Sequence, residues 1–157
     1  MVFVDESGIE HELIKQWAWS ERGQRVIGER IGRQRTRTSM IAGLCAGKVL
    51  APFCMREHIN GEVFYTWLKE HLIPKLRPGQ MIILDNISFH KYDEIRERLE
   101  EAGCRLKYLP KYSPDLNPIE KYWSFVKEKL RKIYKEETPF MEKLHMVLAM
   151  NYITTLN

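Results

Sequence analysis

The sequence predicts an α/β domain built on a mixed five-stranded sheet with helices on both faces. Its first third holds apolar, β-branched segments separated by turn signals, which is typical of antiparallel strands. From residue 60 onwards, helical apolar spacing alternates with short continuous apolar runs, a pattern that indicates strand–helix–strand units and parallel pairing. No repeat or long linker divides the 157 residues, so a single domain over residues 1–157 is expected. We therefore expect three antiparallel strands followed by parallel additions.

The strands of the first third are predicted from apolar runs. Met1–Asp5 is a strand that ends on an acid, and Gln16–Trp19 is a further short strand. Ser39–Ala46 and Val49–Met55 form a hairpin around Gly47-Lys48. Together these segments predict an antiparallel meander.

The later elements are predicted from changes in periodicity and from helix-ending residues. In order they are a helix from Asn60 ended by Pro74 and Pro78-Gly79, a buried strand Met81–Leu84, a helix Tyr92–Ala102 closed by Gly103, a strand Arg105–Leu109, a helix from Pro118 to about Tyr134, and a last helix after Thr138-Pro139.

Composition excludes several classes of protein. No run of 18 apolar residues suggests a membrane span, and the N-terminus lacks the pattern of a signal peptide, so a cytoplasmic protein without a membrane partner is expected. The three cysteines are widely spaced and form no Cys-x-x-Cys pair, which does not indicate a cysteine metal site.

Positive charge is concentrated in two segments, although the net charge is only +4. Lys121–Lys135 carries six bases against one acid. The segment 22–37 carries six arginines against one acid, namely Arg22, Arg25, Arg30, Arg33, Arg35 and Arg37. Such segments on an otherwise acidic chain favour a polyanionic partner, but solvated faces and a mobile loop without a partner remain the alternatives.

The stretch Tyr108–Tyr122 leads from a strand into a basic helix. Pro118 suits the first helical position, and Asn117 before it can cap the exposed N–H groups. Glu120 then occupies the third helical position, where it is either a functional carboxylate or the partner of Asn117 in a capping box. Lys127 and Arg131 follow Glu120 on the same stripe, a spacing that suits a phosphate chain.

Three carboxylates are expected to meet. Asp5 and Asp85 each follow a predicted strand, and Glu120 starts the helix after a third. If the first strand neighbours Met81–Leu84, the aspartates become neighbours, and carboxylates so close require cations. Hard oxygen ligands favour Mg²⁺ or Mn²⁺, and two ions ~3.5–4 Å apart would suit displacement at phosphorus. Each aspartate alone could instead be an ordinary strand-end turn residue.

The motifs around these acids resemble the DDE motifs of mariner-related bacterial insertion-sequence transposases. The resemblance lies in Val-Phe-Val-Asp-Glu-Ser at Asp5, Ile-Leu-Asp-Asn-Ile-Ser-Phe-His-Lys at Asp85, and Ser-Pro-Asp-Leu-Asn-Pro-Ile-Glu-Lys-Tyr-Trp at Glu120. The 34 residues between Asp85 and Glu120 match the spacing of that superfamily, and the similarity covers nearly the whole chain.

The resemblance implies a ribonuclease H-like fold and a catalytic domain that cuts and joins DNA at transposon ends. It implies that Asp5, Asp85 and Glu120 are catalytic and bind two Mg²⁺ or Mn²⁺ ions. Asn86 and His90 would lie near the site, with His90 contacting phosphate, ordering Asp85, or serving only as a packed or surface residue. The implied partner is double-stranded DNA, at both transposon ends and target, so the six arginines of segment 22–37, together with Lys127 and Arg131, are expected to contact DNA. A homodimer is expected because two ends are handled together.

The chain departs from that family at its N-terminus. A helix-turn-helix region normally precedes the first acid, and here only four residues do, so this region is expected to be absent. Association with a full-length transposase or a separate DNA-binding subunit is therefore a further expectation. The alternatives are a catalytically inactive DNA-binding or transposase-associated remnant and a ribonuclease acting on RNA–DNA hybrids.

Overall fold

The computed structural model describes residues 1–10, 22–23, 37–85, 92–110, 113–133 and 137–150. Within these ranges the chain forms one five-stranded sheet in the order β3-β2-β1-β4-β5. The strands are β1 (Val2–Glu10), β2 (Arg37–Cys45), β3 (Lys48–Met55), β4 (Met81–Leu84) and β5 (Arg105–Tyr108). β1, β2 and β3 pair antiparallel, whereas β4 and β5 add in parallel, which confirms the predicted mixed sheet.

In the described ranges, four α-helices lie between and after the parallel strands. They are α1 (Gly61–Trp67), α2 (Tyr92–Glu101), α3 (Ile119–Lys132) and α4 (Phe140–Leu148). α1 begins at the N-cap Asn60, whose side chain accepts a hydrogen bond from the Val63 N–H (2.9 Å), and it continues into a π turn at Leu68–Leu72. No helix among the described residues is long and apolar enough to cross a membrane.

Two apolar cores cover the two faces of the sheet, as expected for alternating strands. Residues of α1, the π turn and α2 pack on one face, against the even-numbered residues of β1. Residues of α3 and α4 pack on the other face, against Phe3 and Ile9 of β1. Asp5 shares the α3 face by this alternation, while Glu6 points to the opposite face.

The hairpin between β2 and β3 turns at Ala46 and Gly47, one residue before the predicted turn. Both residues have positive φ (47° and 78°), which is the type I′ geometry that matches the twist of the strands. The register of β3 then shifts near Ala51, whose φ is 48°. Trp67 fixes this bulge because its Nε1–H donates to the Ala51 carbonyl oxygen (2.8 Å).

The prediction that β1 ends at Asp5 is wrong. β1 continues to Glu10, because its backbone pairs with β2 along its length, from Phe3↔Leu44 to Glu10↔Arg37. Polar side chains beyond Asp5 do not end the strand, since pairing with a neighbouring strand satisfies its backbone. The predicted strand Gln16–Trp19 lies outside the described residues.

The predicted start of α3 is also wrong in detail. The helix begins at Ile119, with Pro118 as its N-cap and no side-chain capping bond. The Asn117 backbone carbonyl accepts the Glu120 N–H (3.2 Å), and its buried side-chain Oδ1 has no hydrogen-bond partner among the described residues. Asn117 therefore contributes its carbonyl rather than its side chain, and Glu120 occupies the second helical position instead of the third.

Candidate active site

The parallel pairing of β1 with β4 places the two aspartates beside one another. The register runs Val2↔Ile82, Phe3↔Ile83 and Val4↔Leu84, so the next positions on the two chains are Asp5 and Asp85. β4 ends at Leu84, and beyond it β1 has a described neighbour only on its β2 side. This place, where one strand stops and its neighbour continues, leaves room for functional side chains.

Asp5 is largely buried and is held by two hydrogen-bond donors. Trp123 Nε1–H donates to its Oδ2 (3.1 Å), and the Glu6 backbone N–H provides the second bond. Burial, followed by the negative charges of Glu120 and Asp85, raises the pKa of Asp5 to about 7 and outweighs the two donors. The three carboxylates therefore lie within electrostatic reach of one another.

The three carboxylates differ in exposure. Asp85, after the end of β4, and Glu120, in the first turn of α3, are both exposed. Among the described residues, no three His, Cys, Asp or Glu side chains lie close enough together to hold one metal ion. Binding of one metal ion by all three carboxylates would therefore require Asp85 and Glu120 to change rotamer around a fixed Asp5. Exposed carboxylates make such changes at little cost.

A basic cluster comprises Lys127 and Arg131 of α3 and Arg37 of β2, which are linked through the charge effects on Lys127; the Arg37 guanidinium lies on the face of β1 opposite Asp5. Half-burial lowers the pKa of Lys127, and the charges of Arg131 and Arg37 lower it further, while Glu120 and Asp5 act in the opposite direction. Lys127 is thus within electrostatic reach of both other bases and of two of the acids. The predicted alignment of Lys127 and Arg131 behind Glu120 is consistent with this position.

Arg37 lies against the backbone of β1 at Gly8. A Cβ atom built on Gly8 would overlap the guanidinium of Arg37, so the absence of a side chain at residue 8 makes room for this contact. Arg22 is exposed. The other predicted DNA-contacting arginines, Arg25, Arg30, Arg33 and Arg35, lie outside the described residues, as do Asn86 and His90.

The polar role of Trp123 is not evident from the sequence, where Trp123 belongs to an apolar stripe of helical spacing that indicates a core residue. Its side chain is 1% exposed, yet its N–H reaches a carboxylate 118 residues earlier in the chain. The environment of Glu6 is likewise not evident from the sequence. Glu6 is partly buried, and its Oε1 has no hydrogen-bond partner among the described residues. Burial and then the charge of Asp5 raise the pKa of Glu6 to about 7. The sequence feature that could have indicated the role of Trp123 is a tryptophan, whose N–H needs an acceptor, on a buried helix stripe three residues after Glu120.

Comparison with solved structures identifies the fold. The Mos1 strand transfer complex is similar with a TM-score of 0.64 and 19% identity, covering 94% of this chain and 51% of that chain. The Mos1 mariner paired end complex with Mg gives 0.61 and 18%, covering 94% and 52%. The catalytic core domain of BIV integrase gives 0.54 and 12%, covering 71% and 72%. With these catalytic cores the chain shares a ribonuclease H-like fold, and it spans about half the length of the Mos1 chains.

The sequence itself gives the family. No curated protein matches this chain. Residues 1–144, however, match the family described as DDE superfamily endonuclease, and this range contains all three acids and every described element except the end of α4. The chain therefore belongs to the DDE superfamily of endonucleases.

Proposed function

We propose that this chain is the catalytic domain of a transposase, which cleaves DNA phosphodiester bonds and transfers the cut strand during DNA transposition. Its catalytic residues are Asp5, Asp85 and Glu120. The observation that carries the proposal is the largely buried Asp5, whose pKa is raised by burial and then by the charges of Glu120 and Asp85. Such mutual repulsion is costly in a protein unless cations offset it.

The donor chemistry fits Mg²⁺ or Mn²⁺. Three carboxylates supply hard oxygen atoms, which these ions prefer, and the exposure of Asp85 and Glu120 leaves positions for water and phosphate. One solved Mos1 paired end complex contains Mn, and another contains Mg. When bound, two such ions would supply Lewis-acid stabilisation of the entering and leaving oxygens at phosphorus.

The residues of this chain have distinct tasks in the proposed reaction. Asp5 is the fixed ligand, because β1 and Trp123 hold it. Asp85 and Glu120 complete the set from β4 and α3. The basic cluster, of which Lys127 is within electrostatic reach of Glu120 and Asp5, neutralises the phosphates that flank the cut.

Double-stranded DNA is the proposed substrate, both as transposon end and as target. The Mos1 complexes include one with a left transposon end. A homodimer, or association with a full-length transposase or DNA-binding subunit, would allow two ends to be handled together. A cytoplasmic, nucleoid-associated location follows from the substrate.

Neutralising Glu120 tests the catalytic proposal. We expect Glu120→Gln to lower Mg²⁺-dependent nicking of supercoiled plasmid by at least about 100-fold, because a ligand charge is removed while the side-chain volume is kept. Glu97→Gln is the matched control, since it makes the same change at an exposed position of α2, and it should nick like the wild type.

Three results would contradict the proposal. Equal nicking by Glu120→Gln and Glu97→Gln would remove Glu120 from the catalytic set. Wild-type protein that binds DNA without divalent metal but never nicks it would support the inactive, DNA-binding remnant instead. Faster cleavage of RNA–DNA hybrids than of duplex DNA would favour a ribonuclease.

The contact between Gly8 and Arg37 gives a second test, on DNA binding. We expect Gly8→Ala to weaken DNA binding about 3- to 10-fold, because the new methyl group displaces the guanidinium from β1. Arg37→Ala should cost a similar factor, and the double variant should cost little more than either alone. Fluorescence anisotropy with a labelled duplex measures all three, and fully additive losses would show that Gly8 does not act through Arg37.

A further inference from the structure

One turn of α3 contributes two groups to the site. Glu120 lies in its first turn, and Trp123 follows three residues later on the buried side. The indole is 1% exposed and packs beside the ring of Tyr122, with ring centroids 5.0 Å apart. Its Nε1–H donates to Asp5 Oδ2 at 3.1 Å, and this bond joins α3 directly to β1, the strand that carries Asp5.

We propose that Trp123 is a positioning residue for cleavage, which holds the Asp5 carboxylate in one orientation before a metal ion binds. The inference rests on the proposed function, because it assigns Trp123 a task in metal binding by Asp5. A hydrogen bond between an N–H and a carboxylate is short and directional, so it fixes the rotamer and the plane of the carboxyl group. The partners that orient metal ligands in this way contribute strongly to metal affinity.

A second buried tryptophan shows what a purely structural indole does in this fold. Trp67 is 2% exposed, and its Nε1–H donates to the backbone carbonyl of Ala51 (2.8 Å). Both indoles thus fill a core and satisfy their N–H, but on opposite faces of the sheet. Only Trp123 directs its N–H at a carboxylate of the proposed catalytic set, and that carboxylate is the largely buried one.

The pair of variants Trp123→Phe and Trp67→Phe separates positioning from packing. Each keeps an aromatic ring and removes one buried N–H donor, so both should lower stability to a similar extent. We expect Trp123→Phe to raise the dissociation constant for Mn²⁺ by roughly 10-fold or more. Trp67→Phe should change it less than about 2-fold. Electron paramagnetic resonance of free Mn²⁺, measured without DNA at pH 8, gives both values.

A metal-free measurement tests the same contact without replacing Trp123. In the wild-type protein the indole ¹H–¹⁵N signal of Trp123 reports its acceptor. We expect Asp5→Asn to shift that signal and to leave the Trp67 signal in place, because the Trp67 acceptor lies on the other face. This readout decides the contact even where Trp123→Phe does not fold.

The outcomes distinguish the inference from the function on which it rests. Folded Trp123→Phe that binds Mn²⁺ as tightly as the wild type overturns the positioning role, and so does an unchanged Trp123 indole signal in Asp5→Asn. If Glu120→Gln leaves wild-type Mn²⁺ affinity unchanged, the proposed metal site fails instead, and Trp123 then has no ligand to position. Weaker Mn²⁺ binding by Trp123→Phe, with Trp67→Phe normal, supports the role.

Discussion

Asp5→Asn is expected to stabilise the metal-free protein at pH 8 while lowering Mg²⁺-dependent nicking by at least about 10³-fold. The loss of nicking follows because Asp5 is the fixed ligand of the proposed site. The gain in stability follows because ionised Asp5 is largely buried, and burial raises its pKa from 3.8 to about 7. A pKa change of this size corresponds to roughly 4 kcal/mol, which is an upper bound for the gain, since asparagine accepts fewer hydrogen bonds.

The pH dependence follows from the sign of that change. Between pH 3.8 and about 7 the folded protein keeps a proton on Asp5 that the unfolded chain has lost. The free energy of unfolding of the wild type therefore falls as the pH rises through this window, and it is level above it. In Asp5→Asn the part of this fall that comes from Asp5 is absent, while the part that comes from Glu6, whose pKa is also raised by burial, remains. The two proteins should therefore differ most at pH 8 and least near pH 4. Urea unfolding at both pH values measures the difference.

Glu6→Gln is the matched control for the charge effect. Glu6 follows Asp5 on the opposite face of β1, and burial first, then the charge of Asp5, raises its pKa to about 7. Neutralising Glu6 should also stabilise the metal-free protein at pH 8, by less than Asp5→Asn because Glu6 is less deeply buried. Both variants thus relieve a buried negative charge, and only one removes a proposed metal ligand.

Added Mn²⁺ separates the two variants. Wild-type protein and Glu6→Gln should gain thermal stability with Mn²⁺ at pH 8, because a cation offsets the charge of Asp5 and its neighbours. Asp5→Asn should gain far less. An Asp5→Asn protein that is less stable than the wild type at pH 8, or that gains as much from Mn²⁺, would contradict this account of Asp5.

Local sequence patterns predict best those elements whose bounds depend least on pairing with other strands. Met81–Leu84 is a short, wholly apolar run, and the structure gives the same bounds for β4. The extent of β1 is set differently, because pairing with β2 continues it through Glu6, Ser7 and Gly8 although these residues carry no strand pattern. Periodicity describes one segment at a time, whereas strand length depends on the partner.

The candidate site shows the same division. Strand order brings Asp5 beside Asp85, which the sequence predicts on the condition that the first strand neighbours Met81–Leu84, and β1 does pair with β4. The donor to Asp5 is not predictable from spacing, because it joins residues 118 positions apart. Asn117 illustrates a local rule that fails: Pro118 is the N-cap of α3, and the Asn117 side-chain Oδ1 has no hydrogen-bond partner among the described residues, so it does not cap the helix.

DNA affinity should depend on which lysines and arginines of α3 are removed, rather than on how many. We expect Lys127→Ala combined with Arg131→Ala to weaken binding to a duplex by on the order of 10- to 100-fold at 50 mM salt. Lys127 is within electrostatic reach of Glu120 and of Arg131, so the two bases lie where the flanking phosphates of a bound strand would run. The slope of log K against log salt is negative, and removing one side chain that neutralises a phosphate should reduce its magnitude by about 0.9.

Lys129→Ala combined with Lys132→Ala is the matched control, with the same change of net charge on the same helix. Lys132 is paired with Glu128 (2.6 Å), and Lys129 lies over the ring of Phe125, with its Nζ 5.5 Å from the ring centroid. Both therefore already have partners on α3 itself. We expect this control to keep nearly the wild-type salt slope and to bind DNA less than about 3-fold more weakly.

The salt slope distinguishes a directed contact from general attraction. If DNA followed only the net charge of the protein, the two double variants would show equal decreases in affinity and slope, and the basic cluster would have no special role. A slope whose magnitude is smaller by about 1.8 in Lys127→Ala/Arg131→Ala alone would correspond to two phosphates bound by that pair. Because Lys127 is half-buried beside Glu120, such binding would place the DNA strand next to the carboxylates, where cleavage requires it.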